Sequence, residues 1–90
     1  MQKNCWLIKC NHTPETLDRI IAPFRKRGMA LESMIYKRES DFLATCAIEF
    51  DEDQENSERI HKNLFRIVDI QTIEIISTEK AITSVNGKSL

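Results

Sequence analysis

The run Cys5-Trp6-Leu7-Ile8-Lys9-Cys10-Asn11-His12-Thr13-Pro14-Glu15-Thr16-Leu17 changes its hydrophobic period half way along. Up to Cys10 the period is two: Trp6, Ile8 and Cys10 share one face and Lys9 takes the other, so residues 5–10 read as a strand. Beyond Asn11 and His12 the pattern becomes helical. Thr13 can cap a helix, and Pro14 stands at the first helical position, where its missing N–H costs nothing. Glu15 and Asp18 put negative charge near the positive end of the helix dipole. Leu17, Ile20, Ile21 and Phe24 follow at i, i+3, i+4 and i+7, one apolar face. Pro23 conflicts with that face, since an interior proline costs about 3 kcal/mol, and predicts a kink or an early end. Arg25, Lys26 and Arg27 suit the negative end of the dipole, and Gly28 suits a left-handed cap.

Outward from this unit, residues 31–38 read as a second strand, with a hairpin turn at Glu39-Ser40-Asp41. In residues 42–50, Ala44, Cys46, Ile48 and Phe50 form one face of a third strand and Thr45 and Glu49 the other. The acidic run Asp51-Glu52-Asp53-Gln54-Glu55 opens a second helix, where such charge is stabilising without any ligand. Ile60, Leu64 and Ile67 give that helix a buried stripe. Residues 69–77, with Ile70, Ile73 and Ile75, make the last strand. The order β-α-β-β-α-β defines an α+β, ferredoxin-like sandwich: a four-stranded antiparallel sheet with both helices on one face. Residues 1–78 form a single domain, and the polar residues 79–90 read as a loose tail.

Composition removes several function classes. The chain has 90 residues, and 41% hydrophobic residues suffice for one core. Thirteen basic and fourteen acidic residues leave a net charge of −1, so no general basic field exists for nucleic acid or an anionic membrane. The third strand also lacks the exposed aromatics with which this architecture stacks RNA bases. No apolar run approaches the roughly 20 residues of a membrane span, and residues 1–6 do not resemble a signal peptide. A cytoplasmic location is the expectation.

Chemistry-bearing motifs are few. Cys5, Cys10 and Cys46 have no metal-ligand spacing and read as small buried hydrophobes of a reducing compartment. No cofactor, metal or catalytic residue is expected. Gly28 and Gly87 are too far apart for a phosphate loop. The acidic residues read as a solvated helix start rather than a convergent acid–base pair. His12 lies in the strand–helix loop, where backbone N–H groups of a helix N-terminus can meet a small anion or an amino-acid carboxylate. His61 reads as half-buried helix surface and Trp6 as core.

Pro14-Glu15-Thr16-Leu17-Asp18-Arg19-Ile20, then Phe24-Arg25-Lys26-Arg27-Gly28-Met29-Ala30-Leu31-Glu32-Ser33-Met34, resembles the ACT domain, most narrowly that of the small regulatory subunits of acetolactate synthase. Leu64-Phe65-Arg66-Ile67-Val68-Asp69-Ile70 is similar to the end of that family's second helix. The likeness spans residues 5–77. It implies a non-catalytic subunit that binds a thiamine-diphosphate-dependent large subunit and raises acetohydroxyacid formation in branched-chain amino-acid biosynthesis. It also implies an amino-acid effector site near the first strand–helix loop, here Asn11, His12, Thr13, Pro14, Glu15, Thr16 and Ala30. Feedback-sensitive members have glycine at Glu15 and asparagine at Ala30. Glu15 adds bulk and negative charge beside an effector carboxylate, and Ala30 cannot hydrogen-bond one. Activation without valine feedback is therefore the expectation, as in the short single-domain type of subunit.

Other readings share the fold. A free-standing ACT amino-acid sensor would bind its ligand around Asn11 to Thr16 without an enzyme partner. An acylphosphatase-like hydrolase would need an arginine in the first loop, and Asn11-His12-Thr13-Pro14 has none. The second strand lies at a sheet edge, and unpaired edges invite partners. A homodimer through Leu31, Ser33, Ile35 and Lys37 is expected, as ACT domains often join in this way.

Overall fold

The computed structural model describes residues 2–78; the tail expected over 79–90 lies outside the described residues. β1 (Gln2–Asn11), α1 (Thr16–Lys26), β2 (Ser33–Arg38), β3 (Leu43–Glu52), α2 (Gln54–Phe65) and β4 (Ile70–Thr78) follow in the expected order. They build one antiparallel sheet ordered β2-β3-β1-β4, so β2 and β4 are its edges. Asn4, Trp6, Ile8 and Cys10 of β1 and Ala44, Cys46, Ile48 and Phe50 of β3 point to the covered face. There they meet Ile20 and Phe24 of α1 and Ile60 and Leu64 of α2 in one core. Full burial of side chains this size stabilises by about 1.5–3 kcal/mol each. Phe50 sits at the centre, edge-on to Trp6 at 5.0 Å and to Phe24 at 5.1 Å.

Several expectations shift by a few residues, each for a physical reason. β1 starts at Gln2, because Gln2 and Lys3 pair with Glu52 and Asp51. Asp51 and Glu52 are therefore strand, not the start of the helix. Asp53 caps α2, its Oδ1 accepting from the Asn56 N–H at 2.8 Å. The regular part of α1 begins at Thr16, and Glu15 at its cap makes no side-chain capping bond. The buried stripe of α1 is Thr16, Ile20 and Phe24, which leaves Leu17 38% exposed.

α1 runs through Pro23 to Lys26 rather than ending early. Its end closes where Gly28, at φ +69°, donates to the Arg25 carbonyl at 3.1 Å while the Met29 N–H donates to the Phe24 carbonyl at 2.9 Å. β2 begins at Ser33, so Leu31 lies in the loop before it, half-buried against the core. α2 ends at Phe65, and Ile67 packs on the core from the turn beyond. Phe42 belongs to the β2–β3 turn and is 78% exposed. Cys10 and Cys46 are buried as expected, whereas Cys5 is half-buried on the uncovered face, its thiol 3.9 Å from Glu49 Oε2.

Candidate functional site

Three loops meet at the end of the sheet where β1 finishes. The Asn11 N–H donates to the Asp69 carbonyl and the His12 N–H to the Phe42 carbonyl, both at 2.8 Å. These bonds tie the β1–α1 loop to the α2–β4 and β2–β3 connections. Gln71 Nε2 donates to Asn11 Oδ1 at 2.7 Å. From α1, Arg19 reaches the buried carboxylate of Asp69 at 2.6 Å, fixing helix to loop.

Thr16 organises the loop itself. Its side chain is fully buried. Its Oγ1 donates to the Asn11 carbonyl at 2.7 Å and accepts from the Thr13 N–H at 3.0 Å, with Thr13 Oγ1 2.8 Å away. Thr13 Oγ1 in turn accepts from the Glu15 N–H at 3.3 Å. The two threonines so form a reciprocal cap, the logic of a capping box with threonine in the place of glutamate. One consequence bears on ligand binding. Pro14 has no N–H, and the N–H groups of Glu15 and Thr16 are taken by Thr13 Oγ1 and the Thr13 carbonyl. Three successive positions, 14 to 16, thus offer no unoccupied backbone donor to an anion.

Tyr36 of β2 joins the site. Its hydroxyl lies 2.9 Å from His12 Nδ1, and the two rings are 5.8 Å apart. Burial pushes its phenol above the usual range, with the Thr16 hydroxyl opposing. The structure therefore brings Asn11, His12, Thr13 and Thr16 into one bonded network, with Pro14 and Glu15 exposed at its rim. Ala30 is not brought there. It lies beside the start of β2, where the Glu32 N–H donates to the Glu49 carbonyl. Glu49 pairs with Cys5, six residues from Asn11, or about 20 Å along the strand. The network residues that escape sequence reading are Tyr36, Arg19 and Asp69. Their partners stand 24 and 50 positions away in the chain, so no local pattern marks them.

The β2 edge carries Ser33, Ile35 and Lys37 on the uncovered face, in register with Glu49, Ala47 and Thr45. Ile35 is 64% exposed there. Burial pushes the Cys46 thiol up to about 12, and raises Cys10 as well, so neither is poised as a nucleophile. Among the described residues no group of three His, Cys, Asp or Glu side chains is arranged to hold a metal ion, and no helix is long and apolar enough to cross a membrane.

The fold is a ferredoxin-like sandwich of the ACT type. Compared by sequence, the chain matches no family model and no curated protein. Solved structures do share its architecture. The acetolactate synthase small subunit of Thermotoga maritima superposes with a TM-score of 0.74 at 18% identity, over 86% of this chain and 48% of that one. The chain thus spans about half the length of that subunit. The ACT domain of the GTP pyrophosphokinase of Chlorobium tepidum gives 0.71 at 13% identity, over 82% and 96% of the two chains. The ligand-free regulatory subunit of aspartate kinase from Thermus thermophilus gives 0.59 at 19% identity, over 81% and 50%.

Proposed function

We propose that this chain is a non-catalytic regulatory subunit of acetolactate synthase, which docks on the thiamine-diphosphate-dependent large subunit and raises its activity. The observation that carries the reading is the superposition on a solved small subunit of that enzyme. The Pro14–Ile20 and Phe24–Met34 stretches, which resemble the same subunits, now fall on α1, its glycine cap and the start of β2. Such a partner acts by preferring the active conformation of the enzyme, and its effect equals that preference.

The reading includes a homodimer through β2. With two β2 strands antiparallel across a two-fold axis, the start of one strand lies beside the end of the other. Ala30 of a second copy then approaches the Asn11–Thr16 loop, which a single copy keeps about 20 Å away. An effector site of this kind is complete only in the dimer. Valine feedback is not expected of it: Glu15 brings charge to the rim, Ala30 no hydrogen bond, and the N–H groups of Glu15 and Thr16 are already occupied.

The test is acetolactate formation by the large subunit of the same organism, with and without the purified chain, then with valine added. A several-fold rise that ignores valine supports the whole reading. No rise and no complex removes it. A second reading is a stand-alone amino-acid-sensing module, favoured by the same fold in the ACT domain of the GTP pyrophosphokinase. It predicts that one small amino acid raises the melting temperature in the absence of any partner.

A further inference from the structure

A groove of about 490 Å³ lies between α2 and the covered side of β1 and β4, toward the end of β1 remote from the Asn11 loop. Its wall includes Trp6, the single tryptophan of the chain. Trp6 is only 2% exposed, and its Nε1–H has no hydrogen-bond partner among the described residues. A buried donor without an acceptor is destabilising, and buried tryptophans usually find one. The rest of the wall mixes amide, hydroxyl and carboxylate groups with one ammonium, that of Lys62. Lys62 has no carboxylate within ion-pair distance among the described residues, and Glu58, one turn earlier on α2, is held instead by Gln54 Nε2 at 3.1 Å. The His61 ring packs edge-on to the indole at 5.5 Å, and Ile75 is 58% exposed at the rim.

We propose that this groove binds a small organic monocarboxylate with a compact apolar body, at a site separate from the β1–α1 loop. The carboxylate meets the Lys62 ammonium and supplies the acceptor that the Trp6 N–H lacks. The apolar body covers Ile75 at the rim. Glu58 limits the ligand to a single negative charge, since a dianion would set a second carboxylate against it. The N–H is shielded from water here, so side chains of the groove wall must shift as the ligand seats.

With one tryptophan in the chain, one indole N–H resonance reports on the site. The experiment titrates isobutyrate into the 15N-labelled full chain at constant ionic strength, with isobutyramide as the uncharged control. The expected result is a saturable downfield shift of the indole proton, half complete at about 1–10 mM, the range open to a ligand of six heavy atoms. Isobutyramide acts more weakly, and Lys62→Ala raises the half-saturation point about threefold. The proposal is overturned by an indole resonance that isobutyrate leaves unmoved in a folded spectrum, or by equal responses to acid and amide. It is equally overturned by a shift that follows protein concentration, which would make a second copy of the chain the occupant. Movement of the Asn11–Thr16 amides without the indole would place the carboxylate at the loop, removing this site and leaving the regulatory reading intact.

Discussion

Thr16 shows how much one side chain can carry at the residue scale. Its hydroxyl serves the Asn11 carbonyl, the Thr13 N–H and the Thr13 hydroxyl at once, from a position without solvent access. Thr16→Val keeps the shape and strips those partners. A loss of about 1–3 kcal/mol in urea unfolding is expected, with Thr16→Ser close to the parent. Cys46 gives a pH effect of defined sign. Its thiol ionises near 9.0 when unexposed to the fold's burial and near 12 inside it. Above pH 9 the unfolded chain sheds the proton that the folded chain keeps, so stability falls as pH rises through the window 9 to 12, by about 1.4 kcal/mol per pH unit at most. Urea midpoints at pH 8 and pH 10.5 check this, and iodoacetamide at pH 8 is expected to leave Cys46 unmodified until the chain unfolds. A residue's type announced these roles only in part. A threonine before a proline advertises a cap, but the second threonine that completes it reads as an ordinary helix residue.

At the scale of elements, helix ends decide the outcome. The end of α1 relies on Gly28, whose φ of +69° places it in the left-handed region. A Cβ there would meet no heavy atom within 4 Å. Gly28→Ala therefore costs conformational strain alone, about 1 kcal/mol after the gain from a stiffer unfolded chain, and Gly28→Asn less. Thermal unfolding of both variants checks the ranking. The acidic run after β3 is the instructive departure. Charge and helix propensity place Asp51 and Glu52 at a helix start. Pairing with Lys3 and Gln2 draws them into the sheet instead, with Lys3 forming ion pairs to Glu32 and Asp51. Backbone pairing over long range outweighs a local preference of a few tenths of a kcal/mol.

The whole molecule presents two unlike edges. β4 pairs with β1 through two register shifts, between Cys5 and Trp6 and between Lys9 and Cys10. Such irregularities blunt an edge. β2 pairs with β3 without interruption and offers its other side, with Ile35 exposed. The proposed dimer therefore uses β2. Light scattering is expected to give twice the chain mass at micromolar concentration, and Ile35→Lys, which sets like charges near the two-fold axis beside Lys37, is expected to give the monomer. A parent chain that is already monomeric removes this part of the proposal.

The βαββαβ order and the covered faces of β1 and β3 follow from local periodicity, the cap from the glycine itself, and the edge position of β2 from that order. Period two and period 3.6 are properties of neighbouring residues, and each apolar face has one sheet to cover. The candidate loop was marked in the same way, by residues of capping type between a strand and a helix. Its working arrangement was not. The His12–Tyr36 contact, the Arg19–Asp69 ion pair and the isolated indole N–H of Trp6 join or separate groups far apart in the chain. The separation of Ala30 from the loop has the same origin. Those relations arise when α1 doubles back along β1, because distance in a folded chain is set by packing and not by position along it.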